Sequence, residues 1–249
     1  MKHTIFITTF SKEGYEAYGK TWVDGFISNT QNVTAIVYTD FDFIAPSNRI
    51  TVVDFNASIP QHKVWADDFY LSDTVSQNGY KQLGIKFSHK AFVILDILEK
   101  YSEGYIVWLD GDCEFKPFTD FNNFIPDLLD NKFIACQIEK GITDWRNEDH
   151  VESGILIFDA SHQDKYEFVA ELKILYGDHI KTLEKPYDGF LIKQALNNTN
   201  TQYIDLFTDG YTPSDSSANT TFIHPEIQCR FKHNIYRTIK KPFFEYQYV

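Results

Sequence analysis

Tyr105-Ile106-Val107-Trp108-Leu109 runs without interruption into Asp110-Gly111-Asp112. Five apolar residues in a row, ended by an Asp-Gly turn, have the composition of a strand covered on both faces in the middle of a sheet. Two carboxylates one residue apart at the end of such a strand point to the same side. Gly111 between them lets the backbone turn and come close to a ligand. Hard divalent cations take oxygen ligands, and carboxylates supply both charge and geometry, so the pair is a candidate cation site. A solvated Asp-Gly turn is the plainer alternative for these residues taken alone. In open parallel sheets, ligands bind at the carboxyl ends of strands, which is where this segment delivers its acids.

Outward from this strand, strand-like and helix-like segments alternate. Thr4–Thr9, Val33–Tyr38 and Ile50–Phe55 read as strands. Tyr15–Ser28 has a helical rhythm through Tyr15, Tyr18, Trp22, Val23 and Phe26. Phe87–Tyr101, with Ala91, Ile94, Leu95 and Leu98 on one side, reads as the helix before the central strand. Further on, Phe133–Gln137, Gly154–Phe158 and Tyr203–Leu206 read as strands, and Gln163–Leu175 and Asp188–Leu196 as helices. Residues 60 to 84 lack a period and are expected to form loop and short helix, as a cover. This order predicts an α/β fold with a mostly parallel sheet. No long polar linker, low-complexity stretch or internal repeat divides the chain, so residues 1–249 are expected to form one domain, with residues 222–249 as a tail closing over the site.

Bulk composition narrows the function. The 249 residues are 43% hydrophobic, enough for one large core. The formal net charge of −12, without a basic run, disfavours nucleic acid and anionic lipid as partners. An anionic ligand then needs local cations or a metal to offset the background. The 22 Phe and 15 Tyr are mostly core material, with some left to stack on a base or sugar ring. Cys113, Cys136 and Cys229 are odd in number and match no zinc or redox spacing, which points to a reducing compartment. The apolar part of the N-terminus is too short for a signal segment, and no stretch approaches about 18 apolar residues. A cytoplasmic location is expected, and the sequons at Asn32, Asn56, Asn197 and Asn219 read as chance matches.

The segment from Tyr105 to Asp112 resembles the strand and Asp-x-Asp motif of the GT-A glycosyltransferases. It is most similar to the branch of glycogenin-like and galactosyl/xylosyl transferases, and the order of elements over most of residues 1–235 is similar too. The resemblance implies a GT-A fold with a central mixed sheet. It also implies transfer of a sugar from a nucleoside-diphosphate sugar, a UDP-sugar, to a hydroxyl of a glycan or other acceptor, with retention at the anomeric carbon. Asp110 and Asp112 would hold Mn2+ (or Mg2+) against the diphosphate, with Asp110 and Gly111 also touching the donor.

Several further residues enter through the same resemblance. His150-Val151-Glu152-Ser153-Gly154 is similar to the Asn-Ser-Gly strand whose polar residues face the sugar, with Glu152 where the family has Asn. Tyr187-Asp188-Gly189-Phe190-Leu191-Ile192 resembles the segment opening a helix near the reaction centre, though the family's Gln and Asn are missing. Glu152 and Asp188 are therefore the candidate catalytic acids. By residue chemistry alone, Asp188 also reads as a helix N-cap and Glu152 as a solvated strand start. Phe222-Ile223-His224 looks like the late His that completes the metal site. Arg230 and Lys232 form a small basic cluster with His233 that would neutralise the diphosphate. Lys86 and Lys90, one helical turn apart, would reach the donor, and are otherwise surface lysines. Thr8, Thr9 and Phe10 at the end of the first strand, and Asp40 at the end of the second, take the positions of base and ribose contacts.

Two other classes share this chemistry. A sugar nucleotidyltransferase usually carries a Gly-rich, basic loop after its first strand, whereas Thr8-Thr9-Phe10-Ser11-Lys12-Glu13-Gly14 has one Lys and one Gly. An inactive carbohydrate-binding protein on the same scaffold is opposed by the intact acid pair.

Overall fold

A computed structural model describes residues 2–71, 80–115, 121–139, 149–177, 179–182 and 187–206, together with three short strands at 231–233, 237–239 and 244–246. The first half opens with strand β1 (Thr4–Phe10), helix α1 (Lys12–Gly14), a π-helical turn (Tyr15–Gly19) and helix α2 (Lys20–Asn29). Strands β2 (Thr34–Thr39) and β3 (Ile50–Asp54) follow, then helices α3 (Phe55–Ser58), α4 (Pro60–Leu71) and α5 (Tyr80–Lys100). Beyond them come β4 (Tyr105–Leu109), β5 (Cys113–Phe115), α6 (Phe121–Leu129), β6 (Ile134–Glu139) and β7 (His150–Asp159). The order closes with α7 (Asp164–Tyr176), a 3-10 turn (His179–Thr182), α8 (Asp188–Asn198) and β8 (Tyr203–Asp205).

Seven strands form one sheet in the order β3-β2-β1-β4-β7-β6-β8. The pairs β3–β2, β2–β1, β1–β4 and β6–β8 are parallel, while β7 is antiparallel to both β4 and β6. The molecule therefore has the α/β fold with a central mixed, mostly parallel sheet expected from the sequence. All five residues of β4 are buried, as their apolar run requires. Side chains alternate across the sheet. Ile5 and Ile7 join one core layer with Ile94, Leu98, Ile106 and Trp108. Phe6 and Phe10 join the other with Trp22, Phe26, Val107, Leu109 and Phe115.

Four helical regions differ from the sequence reading. Residues 60 to 71, within the stretch expected as loop and short helix, form the continuous 12-residue helix α4. Its period is hard to read because Val64 and Tyr70 are exposed while Trp65 and Phe69 pack inward, with their rings stacked at 5.0 Å. Trp65 also donates from Nε1 to the Tyr176 carbonyl at 2.6 Å, which fastens α4 to α7. Helix α5 begins seven residues before the expected Phe87. Helix α6 was not expected at all. Pro126 inside it hides the helical pattern, yet Phe121, Phe124, Ile125, Leu128 and Leu129 bury one face. The expected helix Tyr15–Ser28 is present but begins as a π-helical turn.

The backbones of β9 (Phe231–His233), β10 (Arg237–Ile239) and β11 (Phe244–Tyr246) form a second sheet with β5, in the order β10-β9-β11-β5. No helix among the described residues is long and apolar enough to cross a membrane.

Candidate active site

β1, β2 and β4 run parallel and so deliver their C-terminal ends to one edge of the sheet. Between these ends and α5 lies a cleft of about 450 Å³. Thr9, Phe10, Asp40, Phe55, Lys86, His89, Lys90, Trp108, Asp110, Gly111 and Asp112 line it, and Tyr18 reaches it from the π-helical turn. The reversed strand β7 brings its start, not its end, to the same edge. Its register against β6 shifts there: Cys136 pairs with Leu156, while the next residue, Gln137, pairs with Glu152. Ser153, Gly154 and Ile155 therefore bulge away from β6, and such bulges re-aim side chains.

The centre of the polar arrangement is Lys90, a buried lysine. Its Nζ lies 2.8 Å from Asp110 Oδ1 and 3.0 Å from Asp188 Oδ2. It also donates to Ser153 Oγ at 2.9 Å and to the Ser153 carbonyl at 3.1 Å. Ser153 Oγ in turn donates a hydrogen bond to Asp188 Oδ2 at 2.7 Å. Trp108 Nε1 donates to Asp110 Oδ1 at 2.7 Å. Burial alone would lower the Lys90 pKa, but the carboxylates of Asp110 and Asp188 outweigh it and hold the ammonium charged, well above the ordinary lysine value. The surface-lysine alternative thus does not describe Lys90, although Lys86, a turn earlier, is exposed at the cleft.

Asp188 reaches this cluster because α8 presses hard on β7. A Cβ on Gly189 would stand 2.2 Å from the Val151 carbonyl oxygen, so only glycine allows the approach. The N-cap of α8 is Tyr187 and no side chain caps it. The carboxylate of Asp188 is spent instead on Lys90 and Ser153, which removes the capping alternative.

Asp112 has a different environment. Burial, then the Asp110 carboxylate, push its pKa up from 3.8 to about 7; Glu152 adds to this and Lys90 opposes it. Tyr18 is raised as well, by burial and then by Asp112 and Asp110. Both Phe10 and Tyr18 lie on Gly111, where a Cβ would come within 2.5 Å of Phe10 Cε1 and 3.1 Å of Tyr18 Cε2.

Other sequence candidates are less central. Thr8 is fully buried and is not part of the lining of the cleft. Thr9 does line it, while its hydroxyl donates to the Tyr38 carbonyl at 3.1 Å. Glu152 stands beside the cleft rather than in its lining, and its Oε1 accepts from Gly154 N at 3.1 Å. His224 and Arg230 lie outside the described residues, as does the side chain of Lys232, whose backbone belongs to β9.

Sequence reasoning missed Ser153, Tyr18, Trp108 and His89. Ser153 had a signal, its place inside the Glu-Ser-Gly segment. Trp108 read as core because its neighbours are apolar.

A divalent cation suits this donor set in part. Asp110 and Asp112 offer hard oxygen ligands at the cleft, and the pressure on Asp112 to stay protonated is what a bound cation would relieve. Among the described residues no group of three His, Cys, Asp or Glu completes a metal shell.

No family model and no curated protein matches the sequence. Solved structures that resemble it include mouse xyloside xylosyltransferase 1, at 10% identity and a TM-score of 0.46 over 82% of this chain and 84% of that one. The mannosyltransferase Ktr4p from S. cerevisiae is similar at 11% identity and a TM-score of 0.48, over 78% of this chain and 65% of that one. The bifunctional glycosyltransferase WbbM is similar at 13% identity and a TM-score of 0.46, over 82% of this chain but 39% of its own length. At such scores the likeness is one of coarse chain path.

Proposed function

We propose that the chain is a divalent-cation-dependent glycosyltransferase that moves a sugar from a nucleoside-diphosphate sugar, a UDP-sugar, to an acceptor hydroxyl with retention. The observation that carries this reading is an excess of acid at the exit edge of the sheet. Asp110, Asp112, Asp188 and Glu152 gather around a single buried ammonium, Lys90, beside a cleft large enough for a nucleotide. Such an excess calls for a further positive charge, and Asp110 and Asp112 would hold it as a manganese- or magnesium-like ion, with His224 as third ligand. When bound, that ion supplies charge to the diphosphate as it departs.

The chain's own residues do the rest. Lys90 and Trp108 fix the Asp110 carboxylate in one orientation, so it meets its ligand without a search. Lys86, exposed at the cleft, adds a cation for the phosphates, and Arg230 and Lys232 of the tail would add two more. The Tyr18 hydroxyl, beside Asp112, is a donor for phosphate or sugar oxygens. Asp188 is held by Lys90 and Ser153 and acts as an orienting acid, while Glu152 brings negative charge to the side where the sugar ring becomes positive.

The test is a donor-hydrolysis screen over a panel of nucleotide-sugars, with Mn2+ and with EDTA. Slow, cation-dependent release of a nucleoside diphosphate from one donor is expected. Release of pyrophosphate from a nucleoside triphosphate and a sugar phosphate, with every nucleotide-sugar left intact, would move the protein to the nucleotidyltransferases.

A further inference from the structure

On the α8 side, the cleft continues onto a row of aromatic rings that the donor reaction leaves unused. Phe87, on α5, lines the cleft. Its ring meets that of Tyr187 edge to face at 5.8 Å. Tyr187 stands just before α8, and its ring lies 6.3 Å from that of Phe190 in the first turn, with the planes 26° apart. Phe190 in turn stacks on His150, at the start of β7, at 5.3 Å and 23°. His150 is buried, while Phe87, Tyr187 and Phe190 are half-buried. Tyr187 and Phe190 flank Asp188 and Gly189 in sequence. The close approach at Gly189 that seats Asp188 beside Lys90 therefore fixes the rings as well.

Chemistry selects what can lie on such a row. The face of an aromatic ring is electron-rich. A sugar ring offers it C–H bonds whose carbons also bear oxygen, so their hydrogens carry partial positive charge, and it carries hydroxyls around its rim. A carboxylate has about four acceptor positions, so that of Asp188 can take a hydroxyl in addition to Lys90 and Ser153. An alkyl chain would cover the rings but dry the carboxylate without replacing its water. An acceptor bearing phosphate or carboxylate would meet the charge of Asp188 and Glu152 in a chain whose net charge is −12. Ring faces beside a carboxylate fit a neutral saccharide.

We propose that this row is the acceptor subsite and that the acceptor is a neutral saccharide, packed by one C–H face against Phe190 and Tyr187. The inference rests on the transferase reading and names the acceptor class, which that reading leaves open.

Saturation-transfer difference NMR on wild type, Phe190→Ala and Phe190→Tyr, each with UDP and Mn2+, tests it. The probes are lactose and the methyl glycosides of glucose, galactose and xylose, with N-acetyltyrosine amide and octanol as peptide-like and lipid-like controls. In wild type at least one saccharide should give a signal, strongest at the C–H protons of a single face. Phe190→Ala should weaken that saccharide about tenfold, while UDP affinity, read by calorimetry, stays as in wild type. Phe190→Tyr keeps a ring and should keep the saccharide, which guards against a folding defect in the alanine variant. In turnover, the acceptor KM should rise in Phe190→Ala with donor hydrolysis unchanged. Saccharide binding that survives Phe190→Ala, silence from every saccharide, or a signal from the tyrosine amide or octanol alone would overturn the assignment and leave the transferase reading standing. Failure of UDP to bind, with every nucleotide-sugar left intact, would overturn both.

Discussion

Asp112→Asn should make the cation-free protein more stable at pH 8, although it removes a proposed ligand. The reasoning starts from the raised pKa. Asp112 titrates near 7 in the folded chain instead of 3.8, because burial and the Asp110 carboxylate penalise its charge. Between those values the folded state holds a proton that the unfolded state has lost, so this group's contribution to stability falls as pH rises. About 3 units at ~1.4 kcal/mol each give an upper bound of about 4 kcal/mol at pH 8. Asn keeps the shape without the charge, and the advantage of the variant should vanish near pH 4, where the folded wild type is protonated. His62 acts in the opposite sense. Burial, then His89, lower its pKa from 6.5 to about 3, so its contribution is lost as pH falls below about 6.5. The two slopes partly cancel in wild type, and only the difference between wild type and variant isolates Asp112. Urea denaturation of both proteins in EDTA from pH 4 to 8 measures it. Adding Mn2+ should reverse the order at pH 8 by stabilising wild type. A difference that stays flat with pH, or a variant weaker than wild type in EDTA at pH 8, would refute the argument.

Lys90→Met leaves Asp110 and Asp188 buried without their cation, and should cost about 3–5 kcal/mol in urea denaturation as well as turnover; wild-type stability would mean that the cluster is not dry. Gly189→Ala drives a Cβ into the Val151 carbonyl at 2.2 Å, where backbone must move, and should lower stability by about 1–3 kcal/mol by thermal melting. In Gly111→Ala the obstacle is the Phe10 ring edge at 2.5 Å, which can swing, so stability should fall less while nucleoside-diphosphate affinity drops, as read by titration. Glu152→Gln should reduce turnover much more than donor affinity in steady-state kinetics, and equal losses in both would return Glu152 to a binding role.

Much of the sheet was legible because its strands carry local signatures. β4 reads as an apolar run, β1 as a β-branched one, and Asp110-Gly111-Asp112 stands out against both. Elements whose marks conflict were not legible. Pro126 masks α6, and the exposed Val64 and Tyr70 blur the buried face of α4. The polar cluster was harder still. Lys90 and Asp110 lie twenty residues apart, but Ser153 and Asp188 reach Lys90 only through the bulge in β7 and the close approach at Gly189. No pattern in sequence announces a lysine that is surface by period and buried by partners.

Lys90 also ties the chemistry to the topology. Its partners come from the residue that follows β4, from the start of β7 and from α8, and Lys90 itself from α5. No pair of these elements in isolation gives the ammonium an environment that is both dry and neutralised. A partly folded chain with its strands already paired must keep this corner wet, since closure depends on contacts far apart along the sequence. The corner is then among the last parts to assemble and the first to open when the molecule loosens. A rearranged chain that kept the sheet but released α8 would retain every acid and have none of them aimed.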